Sequence, residues 1–266
     1  MAIRKPCRRS RRHVVGRDRG GRIGNLTYVL VHGAWHGGWC YREVARLLRA
    51  AGHEVFTPTL TGLGERSHLR GQPINLETHV QDIANVLLWE DLHNVVLAGH
   101  SYGGMVVTGV ADRLAERISA LVYLDAFVPE RSGDSLFSLS GPSVVETFKS
   151  ANTDGLTIAP IPAAAFEVVE AKRAWVDQKC VRHPVATTLQ ALELSGRYLS
   201  VARKLYVLAT GWGDVPFRAI RDRLDRDASW QMHELPCGHD LMIDMPGETA
   251  RLLAGLAQSP STGEEP

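Results

Sequence analysis

The sequence predicts an α/β protein: a mostly parallel sheet with helices on both faces. Three observations carry that expectation. Apolar, partly β-branched runs alternate along the chain with stretches of helical period. A Gly-x-Ser-x-Gly pentad, Gly99-His100-Ser101-Tyr102-Gly103, closes one such run and opens a helical stretch. A glycine-rich loop, His32 to Gly38, follows the first run directly.

Taken in order, Leu26 to Val31 reads as the first core strand. Tyr41 to Ala51 places Val44, Ala45, Leu47 and Leu48 on one helical face and stops at Gly52. Glu54 to Pro58 is a short strand, Thr61 to Arg66 a loop, and Leu76 to Leu88 a second amphipathic helix. Val95 to Ala98 is the strand that ends at the pentad, and Met105 to Ala111 continues as a helix. The turn between them forces a strained backbone on Ser101, and Gly99 and Gly103 remove the side chains that would clash there. The helix start aims backbone N–H groups toward the serine oxygen. Ala120 to Leu124 is the next strand and ends at Asp125.

Over residues 128–196 the rhythm breaks, with Pro129, Gly133, Gly141, Pro142, Gly155, Pro160 and Pro162 punctuating helical pieces such as Ala163 to Asp177. An insertion of this size reads as a cap that shapes a substrate pocket. Lys204 to Thr210 resumes the sheet, Phe217 to Arg226 is a helix, and Trp230 to Leu235 is the last strand. The loop Pro236 to Asp240 then leads to a closing helix, Glu248 to Leu256. The expected division is a basic, disordered tail over residues 1–25, one α/β domain over 26–257, and a frayed tail over 258–266. In parallel sheets the ligand site lies beyond the carboxyl ends of the strands, so the first loop, Ser101 and Asp125 converge on one rim.

A chain of 266 residues suits one large domain, and its 44% hydrophobic and 22% charged shares are ordinary for a water-soluble enzyme. The net charge of +1 gives no push toward nucleic acid. That balance hides a basic head, in which Arg4, Lys5, Arg8, Arg9, Arg11, Arg12, Arg17, Arg19 and Arg22 face a single acid, Asp18. The head lacks the apolar core of a secretory signal, and reads as a disordered tail or upstream translation rather than a targeting or nucleic-acid arm. No apolar run reaches the roughly 18 residues that span a bilayer. Cys7, Cys40, Cys180 and Cys237 form no close pair or metal-ligand spacing, as expected of reduced thiols in the cytoplasm.

A serine hydroxyl becomes a useful nucleophile only when a neighbouring base takes its proton, and a histidine is the side chain with the right pKa. Of 11 histidines, position selects His239, in a glycine-flanked loop after the last strand. His32 and His36 read as shaping the first loop, and His100 as the variable residue of the pentad. A carboxylate must hold the imidazole tautomer, and two aspartates compete. Asp214 follows the penultimate strand, the common placement, whereas Asp125 ends the strand after the pentad helix; spacing alone leaves both open. The oxyanion donors are expected from the amides of Tyr102, next after the serine, and Ala34, in the first loop.

With those residues in place, the chain resembles the α/β-hydrolase superfamily, and within it the plant methylesterase and hydroxynitrile lyase group with its bacterial esterase relatives. Val29 to Trp39, Leu47 to Val55, Gly99 to Met105 and Gly238 to Asp240 carry the resemblance, which covers residues 26 to 256. It implies a six-stranded sheet with a helical cap, and an activity that needs no cofactor. It also favours Asp125 over Asp214. Plant members place the acid where Trp212 falls here, while bacterial relatives carry the Tyr123-to-Pro129 segment that contains Asp125. The lyases of the group use a lysine after the catalytic histidine and a threonine in the first loop; here Asp240 and Gly33 stand there, and an acid beside leaving cyanide would repel it.

The expected function is a serine esterase acting on a small carboxylic ester through an acyl-enzyme, with Ser101, His239 and Asp125 as relay. Trp35, Phe127, Phe166 and Trp175 are candidate pocket walls, although aromatic residues more often serve as core. The rivals are carbon–carbon or hydroxynitrile cleavage on the same scaffold, and a slow-turnover small-molecule receptor. Haloalkane-type hydrolysis would need a carboxylate at position 101. The expected partner is the small-molecule ester, with no nucleic acid and no membrane, and a homodimer left open.

Overall fold

The computed structural model describes residues 25–213 and 216–256; the basic head, Cys7, Asp214 and the C-terminal tail lie outside the described residues. Eight strands follow one another: β1 (Thr27–Val31), β2 (Glu54–Phe56), β3 (Val95–His100), β4 (Ile118–Leu124), β5 (Thr157–Ile158), β6 (His183–Pro184), β7 (Arg203–Ala209) and β8 (Trp230–Leu235). Six of them form one sheet in the order β2-β1-β3-β4-β7-β8, with every pairing parallel, and β5 and β6 pair antiparallel by themselves. The chain is therefore an α/β protein with the six-stranded sheet that the resemblance implied.

A parallel sheet covered on both faces explains why its strands are continuous apolar runs. Along β1, Val29 and Val31 join one core while Tyr28 and Leu30 join the other, and along β3 Val95 and Leu97 alternate in the same way with Val96 and Ala98. Helices Leu76–Trp89, Gly103–Arg113 and Pro216–Leu224 cover the first face; Arg42–Ala50 and Pro246–Gly255 cover the second. Helix Leu76–Trp89 starts at a reciprocal cap, in which Asn75 and Thr78 each bond the other's backbone N–H, worth about 1 kcal/mol. No helix among the described residues is long and apolar enough to cross a membrane.

Two local expectations differ from the structure. The stretch Gly64–Leu69 is a 3₁₀ helix rather than open loop. Ala163 to Asp177 is not one helix: a 3₁₀ turn covers Ala163–Phe166, Glu167 takes a left-handed φ of 52°, and an α-helix runs over Glu170–Lys179. The break has a tertiary cause. The carbonyls of Phe166 and Glu167 face the loop after β8, where His239 N–H donates to the Phe166 oxygen at 2.9 Å and a Cβ on Gly238 would lie 2.3 Å from the Glu167 oxygen. Because those neighbours are backbone, Gly238→Ala is expected to cost about 1–3 kcal/mol in urea unfolding, by analogy with overpacking.

Candidate active site

Strands β3 and β4 are neighbours, so the residues that end them are neighbours too. Ser101 follows β3 at φ 52° and Asp125 follows β4 at φ 44°, two non-glycine residues in the left-handed region. Such strain persists only where surrounding structure over-determines it. Here Ser101 N–H donates to the Leu124 carbonyl at 3.3 Å and Asp125 N–H to that of Val207 at 2.7 Å, which pins both turns to the sheet. The tight bend also needs Gly99 and Gly103. A Cβ on Gly99 would lie 2.6 Å from the Gly103 oxygen, and one on Gly103 would lie 2.8 Å from the Val31 and His32 oxygens.

The carboxylate of Asp125 is fully buried. Its Oδ2 accepts from His239 Nδ1 at 2.7 Å and from Trp212 Nε1 at 2.8 Å, and its Oδ1 accepts from the Ala209 amide at 3.1 Å. This partnership leaves His239 Nε2 as the ring's outer nitrogen. The imidazole sits among the rings of Trp212, Phe166 and Phe217, with centroids 4.4, 5.3 and 5.3 Å away. Ser101 and His239 line one cavity with Ala34 and Tyr102. No hydrogen bond joins the Ser101 hydroxyl to His239 among the described residues; such contacts in unliganded sites often run long and tighten with substrate.

The structure therefore brings Ser101, His239, Asp125, Ala34 and Tyr102 to one place. Trp212, at the position that holds the acid in plant members, instead donates its indole N–H to the acid on β4. The remaining cavity wall is apolar except for Thr147, with Trp35, Phe127, Phe148, Phe166 and Phe217 supplying its aromatic surface. Trp35, Phe127 and Phe166 are thus at the site. Trp175 is not: it meets Trp39 edge-to-face at 5.1 Å in a separate surface cavity.

Amide N–H groups of Ala34 and Tyr102 have no backbone acceptor among the described residues, so both remain able to bind a developing oxyanion. Behind Ala34, His32 accepts the Leu60 amide on Nε2 at 3.1 Å, so its Nδ1 carries the proton and donates to the Gly33 carbonyl at 2.8 Å. That carbonyl belongs to the peptide whose N–H is Ala34's, and the bond polarises it cooperatively. Burial pushes the His32 pKa down to about 3, which keeps the tautomer neutral. Behind Tyr102, the phenol and His79 Nδ1 share a 2.8 Å hydrogen bond.

His100 is more than the variable residue of the pentad. It is fully buried, its ring lies 4.5 Å from that of His239, and its Nε2 donates to the His239 carbonyl at 3.0 Å. The Asp240 carboxylate is also fully buried and turned toward His36, 3.1 Å away, rather than lining the cavity. Asp240 therefore does not face the cavity to repel cyanide, and the departures from the lyases that stand are the missing lysine after His239 and Gly33 in place of the threonine. Among the described residues no group of three His, Cys, Asp or Glu side chains is arranged to hold a metal ion.

The sequence matches the family model described as "Alpha/beta hydrolase family" over residues 28–252. A carbendazim hydrolyzing esterase of Nocardioides sp. (strain SG-4G) is 50% identical over 241 residues, 86% of this chain and 99% of its own. Methylesterase 1 of Arabidopsis thaliana is 35% identical over 116 residues, 42% of this chain and 43% of its own. Among solved structures, an extracellular alpha/beta-hydrolase from a Paenibacillus species superposes with a TM-score of 0.77 at 23% identity, covering 88% of this chain and all of its own.

Proposed function

The chain belongs to the alpha/beta hydrolase family and is a carboxylic ester hydrolase, and from that premise we propose that Ser101, His239 and Asp125 carry the hydrolysis as a nucleophile–base–acid relay. The observation that carries the assignment is the 2.7 Å contact of Asp125 Oδ2 with His239 Nδ1 behind a cavity shared by His239 and Ser101. Ser101 Oγ attacks the ester carbonyl carbon while its proton passes to His239 Nε2. Asp125 accepts from Nδ1 throughout and stabilises the imidazolium that forms. The Ala34 and Tyr102 amides bind the oxyanion, the intermediate collapses, and the departing alkoxide takes the proton from Nε2. Water, deprotonated by His239, then attacks the acyl carbonyl and releases the acid.

The apolar, aromatic wall suits an ester with a flat ring beside the carbonyl. Carbendazim, a methyl carbamate on a benzimidazole, has that shape, and the 50% identical relative bears its name. We expect turnover of p-nitrophenyl butyrate and of carbendazim, both abolished by Ser101→Ala, with release of p-nitrophenol or loss of the carbamate followed spectroscopically. Activity surviving in a correctly folded Ser101→Ala protein would defeat the relay. A cytoplasmic location belongs to the same reading, supported by the free thiols of Cys40, Cys180 and Cys237.

A further inference from the structure

Ala34 serves the site from its amide, and its carbonyl is held from behind. Nδ1 of His36 lies 2.7 Å from the Ala34 oxygen, and Nε2 of the same ring lies 3.1 Å from Oδ2 of Asp240. Asp240 follows His239 directly. The two close partners of the His36 ring are acceptors: a carbonyl and an ionised carboxylate have no proton to give, and the third contact, Cys180 Sγ at 3.9 Å from Nε2, is long and weak. A neutral imidazole has one N–H and satisfies one of them, whereas an imidazolium satisfies both.

We propose that His36 is an imidazolium, ion-paired with Asp240, and acts as a positioning residue that locks the oxyanion loop against the loop carrying the base. One end of the bridge is the Ala34 carbonyl, and the other is the backbone neighbour of His239. The pair touches no substrate. Its work is to keep the Ala34 N–H in fixed register with His239 while charge develops on the substrate oxygen. The inference rests on the serine relay proposed above.

The surroundings fit a buried pair rather than two neutral groups. His36 is 2% exposed and Asp240 fully buried, where an unpaired charge would be expensive. Burial opposes the charge on His36, but Asp240 and the Cys180 thiol, with Sγ 3.9 Å from Nε2, outweigh it and hold the pKa well above its ordinary value. Burial likewise opposes ionisation of Asp240, and His36 overcomes it and keeps the carboxyl well below the usual carboxylate range. The indole of Trp39 stacks on the His36 ring at 5.2 Å and 23°, a placement favourable to a cation. The other titratable groups facing the ring add no rival charge. Burial keeps His32 and His100 neutral, with the His100 ring 6.2 Å away, and pushes the Cys40 thiol far up. Fixing register is the best-attested use of a buried ion pair, whose contribution to stability is often small.

The test begins with the wild-type protein. In ¹⁵N-labelled enzyme, the His36 ring, assigned by its loss in His36→Gln, is expected to show two protonated nitrogens with constant shifts from pH 6 to 9. Asp240→Asn is expected to convert it within that range to a neutral ring with one bare nitrogen. On p-nitrophenyl butyrate, His36→Gln and Asp240→Asn are each expected to lower kcat about 10- to 100-fold, less than complete loss of an oxyanion donor. KM should stay within about twofold, because the misplaced donor acts in the transition state. The double variant should lose no more than the worse single one, since both break one bridge.

A bare ring nitrogen on His36 in the wild type would overturn the proposal, whatever the variants do. So would a raised KM with intact kcat, or fully additive losses. The ring spectrum is independent of turnover, so failure of the serine relay, seen as activity in Ser101→Ala, is read separately from failure of the ion pair.

Discussion

Asp125→Asn lowers kcat on p-nitrophenyl butyrate by about 10⁴-fold, the effect expected when a catalytic histidine loses the carboxylate that holds its tautomer. The buried environment makes the loss severe. Three donors converge on the two oxygens of Asp125: the His239 ring, the Trp212 indole and the Ala209 amide. An asparagine has one oxygen. If its amide nitrogen faces Ala209, it opposes the Ala209 N–H and takes away the acceptor that group uses. If it faces Trp212 and His239, it opposes the indole N–H and drives the imidazole toward the tautomer that cannot accept the serine proton. Either orientation leaves a buried donor unsatisfied, at about 1–3 kcal/mol. Unfolding by urea should therefore show a lower midpoint, while far-ultraviolet circular dichroism shows a retained fold. Asp214→Asn is expected to keep kcat within about threefold. The opposite pattern would return the acid to the loop after β7.

The second large effect is loss of stability in mild acid. His32, His79, His100 and His183 are all buried, and burial holds each below its ordinary pKa: His32 at about 3, His79 at about 4, and His100 and His183 well below 6.5. Their hydrogen bonds agree. His32 already accepts from Leu60, His79 Nε2 donates to the Thr61 carbonyl with Nδ1 left for the Tyr102 phenol, and His183 Nδ1 and His100 Nδ1 are buried without partners among the described residues. A group whose folded pKa lies below its unfolded one contributes stability above the unfolded value and loses it as pH falls toward the folded one. For these four the loss begins as pH falls through about 6.5 and continues toward each folded pKa, about 4 for His79, about 3 for His32 and well below 6.5 for His100 and His183. Well inside that range, each pH unit removes up to about 1.4 kcal/mol per histidine, against a total stability of about 5–15 kcal/mol. His36 and Asp240 do not share in this loss. The raised His36 contributes fully below pH 6.5 and fades only as pH rises through its folded pKa; the depressed Asp240 holds its contribution until pH drops below the usual carboxylate range. The melting temperature should thus fall steeply below pH 6.5. A flat melting temperature down to pH 4.5 would contradict the burial and tautomers assigned to these rings.

What could be read from sequence follows the range of the interactions involved. Ser101, Gly99 and Gly103 form one local turn, so a pentad identifies them; His239 follows from its place after the last strand. The choice between Asp125 and Asp214 depends on which strands lie side by side, and the adjacency of β4 to β3 is a property of the sheet. Only the resemblance, with Trp212 in the usual acid position, separates the two in sequence. The His36–Asp240 bridge spans 204 positions and has no local signature, although its members lie close in sequence to Ala34 and His239. The role of His100 is not legible in the pentad, which does not say what lies above its second residue. The aromatic candidates show the same limit. Trp35, Phe127 and Phe166 line the cavity, but Trp175 sits on a helix whose start is shifted by the break at Glu167 and faces Trp39 instead.

The central claim is that the ester's acyl group passes through Ser101. Rapid quenching of the enzyme with excess p-nitrophenyl butyrate, followed by intact and peptide mass analysis, tests it most directly. The account predicts a butyryl adduct on the peptide containing Ser101, formed with the first release of p-nitrophenol and absent from Ser101→Ala. Full turnover by Ser101→Ala, or an adduct that persists in it on another residue, would contradict the account.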